Sequence, residues 1–382
     1  MPKMNVLSAS VRRCRTLIVF AVLTAILSAS GCGNRPPANH ATSLKKVRYA
    51  VSPFQDTLLP IVAKELGWYK EAGLEVDIVQ LGWTEVQEAI ASGAVDVGIN
   101  NISAVVATHE RAPNLIYAYG LNTFDNGFAL MVRPDGKLRT VAQLEKDLGD
   151  HTKAVVAAAA QLKGKTVVTT ANTDMEQGVA AATRRGNIPF ASVKILNLQP
   201  DEGLAAFLSG TGDAYIGGIP QRTRAGKEGM LEMVSGVDLG PAPINGIVTT
   251  REYFEKNEDT LAQLVLMWFR TVAFIDSKQG QPGKTGAEII VRELNKGSGA
   301  QFTVDDFWRF WNRFEHYPSN AEAAEADILS ERGRNYWKLR WDDCNEYFYG
   351  VKHAIQNPVN PDDAFWMPRL QARIKVMTRN AK

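Results

Sequence analysis

From residue 47 onwards, short apolar runs alternate with segments whose apolar residues recur every three or four positions. The first pattern is typical of strands and the second of helices that bury one face. The runs predict strands at 47–51, 74–79, 95–99, 115–119, 128–133, 166–169, 193–196, 214–217 and 247–249. The spaced patterns predict helices at 57–66, 83–91, 102–109, 141–162, 174–185, 201–209, 259–275 and 303–314. Alternation of this kind indicates an α/β fold.

The strand and helix pattern follows one plan twice along the chain. SGAVDVGI at 92–99 has a counterpart in SGTGDAYI at 209–216, each leading from a helix into a buried strand. Two copies are too few for a stacked repeat array. We therefore expect two similar lobes, with turn residues at 133–137 and 241–245 marking the passages between them.

The composition is that of an ordinary globular protein, with 45% hydrophobic and 22% charged residues. Lys plus Arg number 43 and Asp plus Glu number 41, so the balance implies no basic face for nucleic acid. The formal charge of +2 depends on four basic residues before residue 32, and without that segment it becomes −2.

The first 31 residues have the features of a signal peptide. Arg12, Arg13 and Arg15 precede an apolar stretch at 17–27, and small residues follow at 28–31. The apolar stretch is too short to span a bilayer comfortably, although a retained anchoring helix is the alternative. We therefore predict export, with 1–31 removed.

Cys32 directly follows the small residues, and this run resembles the lipobox of bacterial lipoproteins. Ala29 stands where that motif usually has Leu, so ordinary cleavage near Ser30 is the alternative. The resemblance implies lipidation at Cys32, followed by a flexible polar tether over 32–46. Cys344 is then left without a partner, and we expect it to be a small buried residue rather than part of a disulfide.

Motifs for catalysis are absent from the sequence. Gly164–Lys165–Thr166 has Ala159 where a phosphate-binding loop needs glycine, and no zinc-protease helix or G-x-S-x-G nucleophile motif occurs. The sequence therefore predicts no enzyme, no resident metal and no cofactor. Six of the eight tryptophans follow residue 260, and we expect them to pack between helices rather than form a ligand cage.

Several segments together resemble the solute-binding family for nitrate, taurine and alkanesulfonates, which also contains binders of the thiamine pyrimidine precursor. They are AKELGWYKEAGLEVDIVQ at 63–80, AIASGAVDVGI at 89–99, QLKGKTVV at 161–168, LQPDEGLAAFLSGTGDAY at 198–215 and VTTREYFEKNEDT at 248–260. The resemblance implies a two-lobed type II periplasmic binding protein fold with a helical C-terminal extension. Lobe one would comprise 47–132 and 245–382, and lobe two 137–242.

The resemblance also implies a function. The protein would be the extracytoplasmic solute-binding component of an ABC importer, acting as a monomer with a permease and ATPase complex and held to the membrane by its lipid. One alternative is a lipoprotein that presents its ligand to a receptor. Another is a pyrimidine-biosynthesis enzyme on the same fold, although the clustered cysteines of such enzymes do not occur here.

Polar and aromatic residues follow the predicted strands where ligands bind in open α/β sheets, at the carboxyl ends. The candidate ligand-binding residues are Ser52, Phe54, Gln55, Asp56, Trp83, Asn100, Asn101, Ser103, Asn122, Thr170, Asn172, Thr173, Asp174, Pro220, Gln221 and Asn245. Helix caps and turn formers would explain many of them equally well.

The chemistry of these residues suggests how a solute would be held. Phe54 and Trp83 are expected to stack on a planar or apolar part, and the helix opening near Asp174 favours a negative or strongly polar group. The family would make that group a sulfonate or carboxylate. However, Asp174 would repel an anion, and the only basic residue beside these loops is Arg222. We therefore predict a neutral or zwitterionic organic solute.

Overall fold

The computed structural model describes residues 44–124, 126–279, 285–298 and 301–380. The predicted signal peptide and the lipidation at Cys32 lie outside the described residues, as does the predicted tether as far as residue 43. The strands are β1 (Lys45–Val51), β2 (Leu74–Gln80), β3 (Val97–Asn101), β4 (Leu115–Thr123), β5 (Ala129–Val132), β6 (Thr166–Thr169), β7 (Lys194–Asn197), β8 (Ala214–Gly217), β9 (Leu231–Ser235) and β10 (Ile244–Thr250). β1 thus includes the last two residues of the predicted tether, 45 and 46.

Two five-stranded sheets organise these strands. The first has the order β2-β1-β3-β10-β4, in which β1 is parallel to β2 and β3 while β10 is antiparallel to β3 and β4. The second has the order β7-β6-β8-β5-β9, in which β5 is the antiparallel strand between β8 and β9. Both are mixed sheets, as the predicted α/β fold of two lobes requires.

The chain crosses from the first sheet to the second between β4 and β5, and it returns between β9 and β10. The prediction that 128–133 belongs to the first lobe, with a crossing at 133–137, is therefore wrong. Met131 pairs with Tyr215 of β8 and Glu232 of β9, so β5 is an inner strand of the second sheet. A short, wholly apolar strand shows no preference between two buried sheets, and only the pairing decides its position.

Helices cover both sheets. They are α1 (Leu59–Glu65), α2 (Trp68–Glu71), α3 (Glu85–Ala91), α4 (Ile102–Thr108), α5 (Val141–Leu148), α6 (His151–Ala160), α7 (Asp174–Arg185), α8 (Pro200–Leu208), α9 (Ile219–Lys227), α10 (Arg251–Ser277), α11 (Thr285–Ser298), α12 (Val304–Phe310), α13 (Ala321–Ala324), α14 (Trp337–Asn345), α15 (Pro361–Ala364) and α16 (Met367–Asn380). Among the described residues, no helix is both long and apolar enough to cross a bilayer.

The single helix predicted over 141–162 is two helices. The side chain of Thr140 caps α5, and Gly149 ends it in the left-handed conformation at φ 68°. Asp150 then caps α6. Glycine adopts positive φ without steric cost, so Gly149 turns the chain inside a segment of otherwise good helix formers.

The last part of the chain packs on the first lobe. α16 contacts β4 and α10, and α14 contacts α4. Trp311 and Trp341 are fully buried, and the indole of Trp341 donates a hydrogen bond of 2.9 Å to the Val359 carbonyl. Cys344 is buried beside them, which confirms the prediction for that residue. Trp268 is buried as well, and Trp308, Trp337 and Trp366 are partly buried and pack against this core, so the C-terminal tryptophans pack between helices as predicted.

Candidate functional site

A cavity of about 50 Å³ lies where the two lobes face each other. The first lobe contributes the loop after β1, Trp83 after β2 and Asn245 on β10. The second lobe contributes the loops that lead into α7, α8 and α9. The lining residues are Phe54, Gln55, Asp56, Trp83, Phe124, Gly127, Thr170, Thr173, Asp174, Met175, Pro200, Gly218, Ile219, Pro220, Asn245 and Glu315. Such a cleft between lobes is a common place for a small-molecule site.

The aromatic side of the cavity is formed by Phe54 and Trp83. Their rings meet edge to face with centroids 5.4 Å apart, and both are half-buried. A Cβ atom on Gly218 would lie 3.1 Å from Cε1 of Phe54, so the second lobe approaches this ring closely. The absence of a side chain at Gly218 allows that approach.

The floor of the cavity carries two buried carboxyl groups. Asp56 accepts hydrogen bonds from the side-chain amides of Asn122, at 3.0 Å, and Asn245. Glu315 accepts from Gln55 Nε2 at 2.9 Å and from the Tyr317 hydroxyl at 2.6 Å.

Burial disfavours the charged forms of both floor carboxyls. Burial raises the pKa of Asp56 above its ordinary value, although the bonds from Asn122 and Asn245 oppose the rise. Burial also raises the pKa of Glu315 well above its ordinary range, and the neighbouring Asp56 adds to the rise. The two acids therefore form one electrostatic unit whose ionisation is costly without a positive partner.

Glu315 was not predicted from the sequence. It lies far beyond the strand-end loops, in an aromatic segment that shows no strand or cap pattern. Its neighbour His316 fixes its position next to the end of β4, because the backbones of Thr123 and His316 exchange hydrogen bonds of 3.0 and 2.8 Å. Phe124, Gly127, Met175 and Pro200 were also missed, since none follows a predicted strand directly.

The second-lobe wall is formed by the start of α7. Thr173 caps the helix, and its hydroxyl donates to the Thr170 carbonyl at 2.7 Å. Asp174 is 2% exposed; it accepts a bond from the Asn101 side chain and pairs with Arg340. Glu176 accepts a bond of 2.7 Å from the backbone amide of Asn172. The N-terminal end of α7, which was predicted to favour an anion, is therefore already complemented by the helix's own acidic side chains, Asp174 and Glu176.

Nine predicted residues line the cavity: Phe54, Gln55, Asp56, Trp83, Thr170, Thr173, Asp174, Pro220 and Asn245. The other seven lie outside the lining: Ser52, Asn100, Asn101, Ser103, Asn122, Asn172 and Gln221. Several of these support the lining. Asn100 Nδ2 donates to the Trp83 carbonyl at 3.2 Å, and Asn101 caps α4 through its side-chain oxygen.

The C-terminal segment also reaches the second lobe. Arg340 of α14 is 4% exposed and donates hydrogen bonds to Asp174 and Gln177 of α7. Lys352 pairs with Glu176, and Arg184 pairs with Asp343 at 2.7 Å. Because α14 packs on the first lobe, these contacts connect the two lobes beside the cavity, in addition to the two chain crossings.

No group of three or more His, Cys, Asp or Glu side chains suited to a metal ion occurs within the described ranges. Burial raises the pKa of the Cys344 thiol to about 12, so this thiol is protonated at neutral pH and a poor nucleophile.

Two α/β lobes around a lined cleft define the class of two-lobed periplasmic binding protein folds. The model of the NMT1-like family matches residues 41–290, about two thirds of the sequence, and the chain belongs to this family. This confirms the predicted family and fold class.

Two curated relatives come from Bacillus subtilis strain 168. "Putative binding protein YtlA" is 23% identical over 62% of this chain and 67% of its own length. "Putative aliphatic sulfonates-binding protein" is 24% identical over 52% of this chain. The match spans 55% of that relative's own length, about half.

Solved structures share the fold. The aliphatic sulphonate binding protein SsuA of Escherichia coli has a TM-score of 0.62 at 18% identity, covering 85% of this chain and 93% of that one. SsuA of Xanthomonas axonopodis pv. citri bound to MOPS has a TM-score of 0.63 at 16% identity, covering 86% and 100%. The nitrate-binding protein NrtA of Synechocystis PCC 6803 has a TM-score of 0.59 at 13% identity, covering 87% and 85%.

Proposed function

We propose that the protein is the extracytoplasmic solute-binding component of an ABC importer and captures a small organic solute between its lobes. The observation that carries the proposal is the cavity lined from both lobes, with aromatic rings on one side and buried polar groups beneath them. A site divided in this way is completed only when the lobes come together. Membership of the NMT1-like family and relatives named as binding proteins support the same function.

The proposed cycle is closure around the solute by hinge bending at the two crossings between the sheets. Closure would bury the solute and bring the two lobes into the relative position that a permease and ATPase complex recognises. The nine predicted residues that line the cavity are the proposed ligand contacts. The protein acts as a monomer in this proposal, since one chain supplies both halves of the site.

The N-terminal segment supplies the proposed location. Removal of 1–31 as a signal peptide and lipidation of Cys32 would place the protein outside the cytoplasm, on the periplasmic face, anchored by its lipid to a bacterial membrane.

The proposal excludes conversion of the solute. The described cysteine, Cys344, is buried with a raised thiol pKa, and the lining pairs no nucleophile with a general base. The solute released from the protein should therefore be chemically unchanged.

Uptake in a strain that lacks the gene tests the function. Radiolabelled solute should accumulate poorly at low external concentration, and the wild-type gene should restore uptake. A gene carrying Trp83→Ala should not restore it. Normal high-affinity uptake in the deletion strain would contradict a role in import, and recovery of a converted product from purified protein would contradict a binding protein.

A further inference from the structure

Two hydrogen-bond acceptors at the cavity floor have no partner among the described residues. Gln55 and Asn245 are 0% and 1% exposed, and both line the cavity. Their side-chain nitrogens donate to Glu315 and Asp56 respectively, so their oxygens point elsewhere. Gln55 Oε1 and Asn245 Oδ1 have no hydrogen-bond partner among the described residues. Buried polar atoms are rarely left unpaired, so these two oxygens point to a ligand that donates hydrogen bonds.

The side-chain hydroxyls at the cavity donate within the protein. The hydroxyl of Thr170 donates to the Leu198 carbonyl at 2.8 Å, and that of Thr173 donates to the Thr170 carbonyl at 2.7 Å. The Tyr317 hydroxyl donates to Glu315. A sulfonate, carboxylate or nitrate brings only acceptors, so at the floor it would face carboxyl and amide oxygens and find no free hydroxyl of Thr170, Thr173 or Tyr317.

The charges at the cavity agree with the hydrogen bonding. The lining contains Asp56, Glu315 and Asp174 and neither Lys nor Arg. Asp174 already has Arg340 as its partner. Asp56 and Glu315 are 5% and 2% exposed, and within the described ranges neither forms an ion pair. A buried carboxylate without a positive partner is costly, and a cation between these two acids would remove that cost.

The aromatic side fits a cation as well. Phe54 and Trp83 form the half-buried edge-to-face pair, and Phe124 adds a third ring to the lining. Ring faces attract cations, most strongly where water is excluded, and Trp is the most effective of the aromatic residues. Rings beside carboxyl groups are therefore suited to an organic cation with an apolar part.

We propose that the solute is a compact organic cation, a protonated amine or an amidinium-type group on a short apolar body. Its N–H groups bond Asp56, Glu315 and the free oxygens of Gln55 and Asn245, and its apolar body lies against Phe54 and Trp83. This inference rests on the proposed solute-binding function. It assigns a charge opposite to that of the sulfonates and nitrate in the names of the relatives.

The rival arrangement is that both acids are protonated and donate hydrogen bonds to an anion. The groups facing Asp56 are Glu315, Asn122 and Asn245, and those facing Glu315 are Asp56, Gln55 and Tyr317. Asp174 with Arg340 is the remaining charged pair at the cavity. A cation needs the acids ionised, so its affinity should fall as the pH is lowered from 8 to 5. An anion held by protonated acids should show the opposite trend.

A matched four-carbon series tests the charge with the full protein. Butylammonium, butylguanidinium, 1-butanol and butane-1-sulfonate are compared by thermal shift and calorimetry at pH 7.5. The two cations should raise the unfolding temperature, and the alcohol and sulfonate should not. Asp56→Asn and Glu315→Gln should each weaken cation binding about 10- to 100-fold, the loss of one hydrogen bond to a charged group.

Asp96→Asn is the matched control. It removes a first-lobe carboxylate that pairs with Arg48 just before β3, whereas the cavity lies beyond the other end of that strand. Cation binding should be unchanged in it. Stabilisation by butane-1-sulfonate, with affinity increasing at low pH, would overturn the charge assignment and leave solute binding intact. If no member of the series shifts the unfolding temperature, the assignment of a compact cation is overturned. The function itself is tested separately, by the uptake experiment.

Discussion

Replacing Arg340 by Met should loosen the contact between the C-terminal segment and the second lobe. Arg340 is almost fully buried and donates to Asp174 and Gln177 of α7 and, at 2.8 Å, to Asp343 of α14. Met keeps much of the side-chain volume and removes the charge. Asp343 retains Arg184 at 2.7 Å, so Asp174 is the acid that loses its positive partner.

The size of the effect follows from the burial of Asp174. Removing one member of a buried ion pair costs about 3–5 kcal/mol when the other charge stays buried. For the compact unit Ser43–Lys382, an unfolding entropy of about 2.1 cal/mol/K per residue gives roughly 0.7 kcal/mol/K. The unfolding temperature of Arg340→Met should therefore fall by roughly 4–7 °C. If the lobes open in this variant, water would reach Asp174 and the unfolding temperature would fall less. The radius of gyration would then increase.

Thermal unfolding and small-angle X-ray scattering together measure both outcomes. Arg340→Met should lower the unfolding temperature or increase the radius of gyration of the ligand-free protein. Arg340→Met with Asp174→Asn should recover most of the stability, because neutral replacements of both partners leave no buried charge. Equal unfolding temperatures and scattering for Arg340→Met and wild type would show that this ion pair does not hold the two lobes together. A double variant no more stable than the single one would show that an unpaired Asp174 is not the cause of the loss.

Three further predictions concern the cavity and the N-terminus. Phe54→Ala and Trp83→Ala should each weaken solute binding about tenfold in calorimetry, through lost ring contact with the solute, and unchanged affinity in both would exclude stacking. Because burial raises the pKa of Glu315, this carboxyl holds its proton more tightly in the folded ligand-free protein than in the unfolded chain, and its contribution to stability should decline as pH rises above about 4.5. Glu315→Gln should remove part of that decline between pH 5 and 8, and identical pH profiles would contradict the raised pKa. Cys32→Ser should release the protein from membranes with solute binding intact, and an intact mass showing an unmodified mature N-terminus would exclude lipidation.

The local pattern predicted elements best where caps and buried runs coincide. β6, α7 and β8 have the predicted bounds, because Thr173 caps α7 and the neighbouring strands are short apolar runs. The pattern failed where the decision is tertiary. β5 could pair in either sheet, and only the pairing decides. The break between α5 and α6 is a different case, because Gly149 and the Asp150 cap are local signals that helix propensity alone does not include.

The sequence predicted the part of the site that lies in the loops next to strands. Asp56 and Trp83 follow first-sheet strands, Asn245 lies at the start of the antiparallel strand β10, and all three line the cavity. Glu315 and Arg340 come from the C-terminal segment, and their positions depend on how that segment folds back against β4 and α7. No local pattern contains that information. The predicted neutral or zwitterionic solute also relied on loop residues alone, without the paired acids of the floor.

One solute should bind per chain, in the cavity between the lobes. Native mass spectrometry of the protein, equilibrated with a small-molecule extract and separated from free solutes, measures this directly. We expect a single added mass at one solute per chain, lost in the variant carrying both Phe54→Ala and Trp83→Ala and kept in Asp96→Asn. No added mass, or an added mass that the double variant retains, would contradict it.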